Sequence, residues 1–390
     1  MFTLIKGAKV YTPDYIGKKD VLIAGNKIAA IEDEINVNLP CRVDTIDATG
    51  KLLLPGFIDH HVHITGGGGE GGFTTRTREI EFSDLAESGI TTVVGVLGTD
   101  GITRSPENLY AKARALEEEG ITTFIYSGSY QVPPVTFTGS IQRDIVLIDK
   151  VIGVGEIAIS DHRSFQPTIE ELARIASEAR VGGMLAGKAG IVHLHLGDHT
   201  RGLDMLNDIV DKMPIPITQF IPTHVNRKKE LLYQASEFAK KGGYVDLTAG
   251  FEPETDLDKC VSAYNAFKYL TDSGVSVNNI TMSSDGNGSI PTFDENGVLV
   301  GIDAASCKVL YEDIKKGVMD LNIPLESILR IITINPAKFL KIDRFKGTVA
   351  VGKDADLVLV DSALNIDMVF AMGEKIVDNG EYIKKRDIAQ

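Results

Sequence analysis

The chain of 390 residues has no tryptophan, three cysteines and no apolar run approaching the ~18 residues of a membrane span. Cys41, Cys260 and Cys307 are sparse, odd in number and without a CxxC spacing. That pattern argues against a disulfide framework and for scattered thiols in a reducing cytosol. Positive charge is also short: 40 Lys and Arg against 54 Asp and Glu give a net charge of -14. Such a balance argues against nucleic acid or an anionic membrane as partner. It leaves small anionic substrates open, because a local arginine pair overrides a distant field. The opening residues MFTLIKGAKVYTPD lack a basic segment, a long apolar stretch and a small-residue cleavage site. No signal peptide is expected, and the expected compartment is the cytoplasm. Apolar content is ordinary at 43%, enough to bury a large core and to exclude a disordered chain.

The two ends of the chain read alike. Residues 1–55 carry β-branched runs punctuated by glycine and asparagine, with a hairpin signal at Gly25 and Asn26. Residues 345–390 again read as strands and hairpins, so the ends are expected to pair into one small β domain. The stretch 56–344 between them alternates short apolar strands with helical segments. Eight strands are predicted, at Phe57–His63, Thr91–Leu97, Thr122–Gly128, Gly153–Ile159, Ile191–Leu196, Ile217–His224, Tyr244–Thr248 and Ile280–Ser284. Eight β/α units predict an α/β fold of the (β/α)8 TIM-like barrel type. A doubly wound sheet fits less well, because GGGGEGG is not a GxGxxG in a strand–turn–helix context.

The polar residues fall at the predicted strand ends. Three of the eight histidines lie in DHHVHITGGGGEGG, and strict alternation puts His61 and His63 on one face, with His60 and Val62 on the other. The carboxyl ends of barrel strands form the active face, and two imidazoles at that spacing can hold one divalent cation. Strand 5 supplies His195, with His193 one step deeper on the same face. Strand 6 supplies His224, and strand 8 ends in MSSDGNGS, with Asp285 at the mouth. Strand 4 offers Glu156 and, further on, Arg163. A lone histidine or strand-end aspartate is usually structural; the joint pattern is not expected by chance.

This arrangement resembles the amidohydrolase superfamily, metal-dependent hydrolases on a (β/α)8 barrel with a small β-sandwich domain from both chain ends. PGFIDHHVH is similar to its opening signature and GTVAVGKDADLVLVD to its return into the β domain. Within it, HVHITGGGGEGGFTTRT, GVLGTDGITRSPE, AISDHRS, PTHVNR and SSDGNGS resemble the isoaspartyl dipeptidases, over essentially the whole chain. The resemblance implies two zinc ions, Zn2+, per chain. One is held by His61, His63 and Asp285, the other by His195 and His224. In better-known members a carboxylated lysine bridges the metals. Here the matching position is Glu156, no lysine lies in the strand, and Lys150 is too early. A glutamate also offers two anionic oxygens, but on a side chain about three bonds shorter than a lysine carbamate. The backbone must therefore come closer or the strand must bulge, which Gly155 would permit. No lysine carboxylation is expected.

The resemblance further implies hydrolysis of a β-aspartyl (isoaspartyl) dipeptide by a hydroxide held between the metals. Asp285 acts as general base and then acid, and Tyr130 donates to the developing oxyanion. For a substrate with one ammonium and two carboxylates, Glu70 can pair with the ammonium and Arg163 and Arg227 with the carboxylates. The glycines around Gly68 and Gly69 let backbone approach the ligand. Thr99 and Ser289 supply hydroxyls by resemblance. Arg76, Asp161, His162 and His199 are left as supporting candidates. A larger homo-oligomer such as an octamer is implied. The alternatives are a cyclic amidohydrolase acting on a dihydropyrimidine or hydantoin, which has no use for an ammonium-binding Glu70, and a non-catalytic scaffold, which would have shed its ligands.

Overall fold

The computed structural model describes residues 2–37, 40–252, 260–293 and 299–384. Met1, residues 38–39 and residues 385–390 of the predicted small domain, and residues 253–259 and 294–298 of the predicted barrel stretch, lie outside the described residues.

Eight short parallel strands form the central layer. They are referred to as barrel strands 1 to 8: Phe57–Val62, Ile90–Gly95, Thr122–Ser127, Val151–Ile159, Ile191–Leu196, Phe220–Thr223, Val245–Thr248 and Ile280–Ser283. Strands 1 to 6 pair in sequence order, and strands 7 and 8 pair with each other. A parallel bridge between Val62 and Gly286 joins strand 1 to the residues after strand 8. Between strands 6 and 7, the Thr223 hydroxyl donates to Asp246 at 2.7 Å. The strands read as near-continuous apolar runs because both faces are covered. Ile58, Val94, Tyr126, Ile152, Ile191 and Ile221 fill one cluster, while Val62, Val93, Val154 and Leu194 pack in another that also takes in the helices.

The helices begin and end on local chemistry. In Pro106–Glu119, Ser105 caps the N-terminus, proline occupies the first turn and Gly120 ends the helix with φ 124. Its buried Leu109, Ala113 and Leu116 recur on one face. Ile169–Ala186 starts with a reciprocal Thr168–Glu171 capping box and stops at left-handed Gly187. The predicted start of strand 6 at Ile217 is not strand. Residues Ile217–Gln219 make a 3-10 turn after Pro216, and pairing begins at Phe220.

Both chain ends share one nine-stranded sheet. Leu52–Pro55 pairs in parallel with Phe2–Tyr11 and antiparallel with Leu357–Val360, so residues from the two termini meet in the middle of that sheet. Ile5, Val10, Val21, Ile23, Leu53, Leu357 and Phe370 form its core. Leu52–Pro55 runs directly into barrel strand 1, which anchors the strand carrying the paired histidines.

Two irregularities in the barrel matter for the site. Strand 1 gains a residue relative to strand 2: Asp59 faces Val93, but Val62 faces Gly95. The extra residue lies at His60–His61 and breaks the alternation. His60 therefore does not point away from the site, as strict alternation predicted. Its ring lies edge-on to His193, the same histidine that sits 2.7 Å from His61. Strand 4 does the same relative to strand 5, where Val154 faces Val192 and Ile157 faces Leu194. Gly155 and Glu156 together span the position of His193. A Cβ on Gly155 would sit 2.7 Å from the His193 carbonyl oxygen, and its φ of 156 lies outside the usual range for a side-chain-bearing residue.

Candidate metal centre and substrate cleft

Glu156 lies at the middle of an imidazole cluster at the carboxyl ends of the strands. Its Oε2 is 3.0 Å from His195 Nδ1, 3.3 Å from His224 Nε2 and 3.5 Å from His61 Nε2. Asp285 Oδ1 sits 3.3 Å from His61 Nε2 and 3.1 Å from His63 Nε2. Two sets of ligand atoms are close enough to share a cation: His61, His63 and Asp285, and His61, Glu156 and His224. His195 faces the same Glu156 oxygen from strand 5. Space for His63 comes from Gly98 after strand 2, where a Cβ would approach the ring to 2.8 Å. His224 and Asp285 both sit in left-handed backbone (φ 61 and 53), an arrangement uncommon for non-glycine residues and concentrated at functional sites.

The residues fit a divalent cation on an observation independent of any motif. His61 Nε2, Glu156 Oε1 and Asp285 Oδ1 are buried and without a hydrogen-bond partner. Buried polar atoms are normally paired, and these converge on one small volume. Burial and the neighbouring Asp285 push the Glu156 carboxyl well above its ordinary range. Burial also acts against ionised Asp285, but the His61 and His63 imidazoles that face it outweigh burial and hold that carboxyl well below its usual value. Burial keeps His61 and His224 low and holds His195 at about 3, so these imidazoles are neutral, the form that binds metals. Lys150 is far from this cluster by function: its ammonium is spent on Glu117 and the Thr123 carbonyl.

Behind the ligands lies a buried polar layer. His61 Nδ1 is 2.7 Å from His193 Nε2, and His224 Nδ1 is 2.7 Å from the Thr248 hydroxyl. His60 Nε2 is 2.8 Å from Asp246, whose carboxylate also accepts from Thr223, Thr281 and Ser283. Serine and threonine inside barrel strands were the sequence signal for this layer, but their shared acceptor lies on strand 7 and is visible only in three dimensions.

In front of the ligands a cleft opens to solvent. Of the predicted substrate residues, Gly68, Glu70, Thr99, Tyr130, Arg163, Arg227 and Ser289 line it, beside His63, His195 and Asp285. Gly69 is in the same loop but is not among the lining residues. Thr99 donates to Glu70 Oε1 at 2.8 Å, and Arg163 Nη1 lies 3.3 Å from that oxygen. The Arg227 guanidinium has no hydrogen-bond or ion-pair partner among the described residues. The Tyr130 hydroxyl is 2.8 Å from His195 Nδ1. Burial and Glu156 raise its pKa well above the ordinary value, so it is a donor at neutral pH.

Two arrangements were not legible in the sequence. Arg163 does not present a free fork to the cleft. Asp161 takes it from the side, with Nε to Oδ1 at 3.0 Å and Nη2 to Oδ2 at 2.8 Å. Arg104 and Asp100 also line the cleft. Arg104 holds both stems of the glycine-rich loop through the carbonyls of Thr65 and Thr77, each at 3.0 Å. The acid–base pair in DHR, two residues apart, was the available signal for the first; TDGITR carried little for the second.

The amidohydrolase family profile matches residues 52–379. The chain is similar to the crystal structure of β-aspartyl dipeptidase from the thermophilic, keratin-degrading Fervidobacterium islandicum AW-1 in complex with β-Asp-Leu dipeptide. The two share 52% identity and a TM-score of 0.91, over 99% of this chain and 100% of that one. Among curated proteins, a dihydroorotase of Listeria monocytogenes serotype 4a is 36% identical over 121 residues; the match spans 30% of this chain and 27% of that relative. Dihydropyrimidinase from Brevibacillus agri shares the fold at 18% identity, with a TM-score of 0.69 over 98% of this chain and 96% of that one.

Proposed function

The chain belongs to the amidohydrolase family, and from that premise we propose that it is a binuclear zinc dipeptidase that hydrolyses β-aspartyl dipeptides. The observation that carries the reading is the cleft, where the Glu70 carboxylate and the arginines Arg163 and Arg227 stand beside a cluster of buried unpartnered ligand atoms. A β-aspartyl dipeptide has one free ammonium and two carboxylates to match them. Full-length likeness to a β-aspartyl dipeptidase that binds β-Asp-Leu supports the same substrate class. A cyclic amide would leave Glu70 without a cationic partner from the substrate.

In this reading His61, His63 and Asp285 would hold one zinc and His195 and His224 the other, with Glu156 serving both in place of a carboxylated lysine. Bound there, zinc would polarise the scissile carbonyl and bring the pKa of a water to about 7. The rest falls to the chain's own side chains. Tyr130, kept protonated by burial, donates to the oxygen that becomes negative as the carbonyl carbon turns tetrahedral. The Asp285 carboxylate accepts the proton of the attacking water and passes it to the leaving amine, which would otherwise depart as a poor anion. Glu70, oriented by Thr99, holds the ammonium. Arg163 and Arg227 hold the carboxylates, and Gly68 and Ser289 complete the contact surface. The barrel at 56–344 carries the chemistry and the ends, 1–55 and 345–390, form its β companion. We place the protein in the cytosol, which suits a chain whose Cys41, Cys260 and Cys307 form no disulfide with one another. No helix among the described residues is long and apolar enough to cross a membrane.

The test is hydrolysis of β-Asp-Leu beside α-Asp-Leu, with protein as purified, after chelation, and after zinc reloading. Turnover of the β-linked peptide alone, lost on chelation and regained with zinc, is the expected result. No turnover of either peptide by zinc-loaded protein would sink the proposal.

A further inference from the structure

We infer that Asp161 is a positioning residue that couples the zinc ligand His195 to the substrate arginine Arg163, so that metal retention and carboxylate binding depend on one side chain. The inference rests on the metallo-dipeptidase reading above and assigns a role to a residue that takes no direct part in it.

The geometry is that of one carboxylate shared by two donors of different purpose. Asp161 follows strand 4 in the turn after Ser160, and only 4% of its surface is exposed. Its Oδ2 lies 3.0 Å from His195 Nε2 and 2.8 Å from Arg163 Nη2. Its Oδ1 accepts from Arg163 Nε at 3.0 Å and from the Arg163 backbone N–H at 2.7 Å. His195 Nε2 and Arg163 Nη2 are themselves only 3.3 Å apart. With the imidazole proton on Nε2 these are two donors, and both are satisfied because Asp161 Oδ2 accepts from each.

Consider first the imidazole. The nitrogen of His195 that faces Glu156 is Nδ1, at 3.0 Å. For Nδ1 to offer its lone pair to a cation, the ring proton must be on Nε2. A carboxylate can only accept, and one faces each ring nitrogen; once Nδ1 is given to a cation, Asp161 holds the proton on Nε2 and fixes the ring plane. Carboxylates that hold a metal-binding histidine in this way typically affect metal affinity by about 10–100-fold.

The arginine is fixed by the same group. Asp161 takes Nε and Nη2, leaving Nη1 as the one Arg163 nitrogen directed to the cleft, where it meets Glu70 Oε1 at 3.3 Å. A substrate carboxylate would be read by Nη1 and by an arginine already locked in place. Asp161 thus keeps Arg163 from swinging toward the acidic cluster of Glu156 and Asp285.

The experiment uses full-length protein and zinc alone as the first probe. In Asp161→Asn, Arg163 presents two N–H groups to Oδ1, so the amide oxygen stays there and the amide NH2 faces His195 Nε2. The ring proton is then driven to Nδ1, onto the nitrogen meant for zinc. We expect zinc transfer to a chromophoric chelator to become roughly 10–100-fold faster for one of the two ions, the other being unchanged. At saturating zinc, the KM for β-Asp-Leu should also rise. Arg163→Met separates the arms: KM should rise while zinc release stays at the wild-type rate. Asp161→Ala replaces the asparagine variant if the latter does not fold, and both effects are expected there too. Folded Asp161→Asn with unchanged zinc release, or with faster release and an unchanged KM, overturns the coupling. If wild-type protein turns over no β-Asp-Leu, the dipeptidase reading fails, yet the zinc-release comparison still decides whether Asp161 holds His195.

Discussion

Asp313 offers a test of how burial and charge set the stability of this fold, away from the metal cluster. It lies in the helix Val309–Leu321 and is 1% exposed. One oxygen accepts from the Gly250 backbone N–H at 3.0 Å, just past barrel strand 7, and Lys316 is 3.9 Å from the other. Burial, incompletely offset by the Gly250 hydrogen bond and Lys316, pushes the carboxyl up to about 6. An unfolded aspartate titrates near 3.9. Below about pH 4 the group is protonated in both states and costs nothing. Between pH 4 and 6 the unfolded chain ionises first, so stability falls as pH rises, and above pH 6 the loss is complete. Two pH units correspond to about 3 kcal/mol. Asp313→Asn keeps an acceptor for Gly250 and removes the charge. Relative to wild type it should therefore be about 3 kcal/mol more stable at pH 7.5, with that gain fading toward pH 4. For a chain of this length the gain corresponds to a Tm rise of about 4 °C. With no tryptophan to report, unfolding is best followed by circular dichroism at 222 nm, in metal-free protein so that zinc release does not contribute. A variant whose advantage is the same at pH 4.5 and pH 7.5, or which is less stable at pH 7.5, would refute the argument.

Other perturbations probe the site directly. On the proposed binuclear reading, Glu156→Gln, which removes the carboxylate facing His61, His195 and His224, should lower the zinc bound per chain in elemental analysis and abolish activity. Retention of two tightly held ions would contradict a bridging role. Arg227→Met should raise the KM for β-Asp-Leu by about 30–100-fold with a smaller change in kcat, as expected for loss of one charge-assisted contact. Steady-state kinetics that show the reverse split would place Arg227 in the chemical step instead.

Much of the site was readable along the chain. His61 and His63 are two apart in one strand, and their common face follows from local geometry. His195, His224 and Asp285 each end a recognisable apolar strand, and the barrel brings such ends to one rim. Glu156 stood out because no lysine occupied its strand. The length of a glutamate called for either a closer backbone or a bulge, and strand 4 carries an extra residue at Gly155–Glu156. The orientation of His60 was misjudged because alternation is a rule for regular strands. The extra residue at His60–His61 is defined only against strand 2.

The sequence by itself determined the periodicities: the order of strands and helices, the spacing of the histidines, and the residue types that can ligate a cation or match a zwitterion. These are local, since a side chain's face follows from its immediate neighbours. The tertiary structure decided which of those groups share a partner. Asp161 stands between His195 and Arg163, and His193 stands behind His61, because parallel strands place residues tens of positions apart at adjacent heights. Register, bulges and the competition of two donors for one carboxylate arise between strands, and no single strand records them.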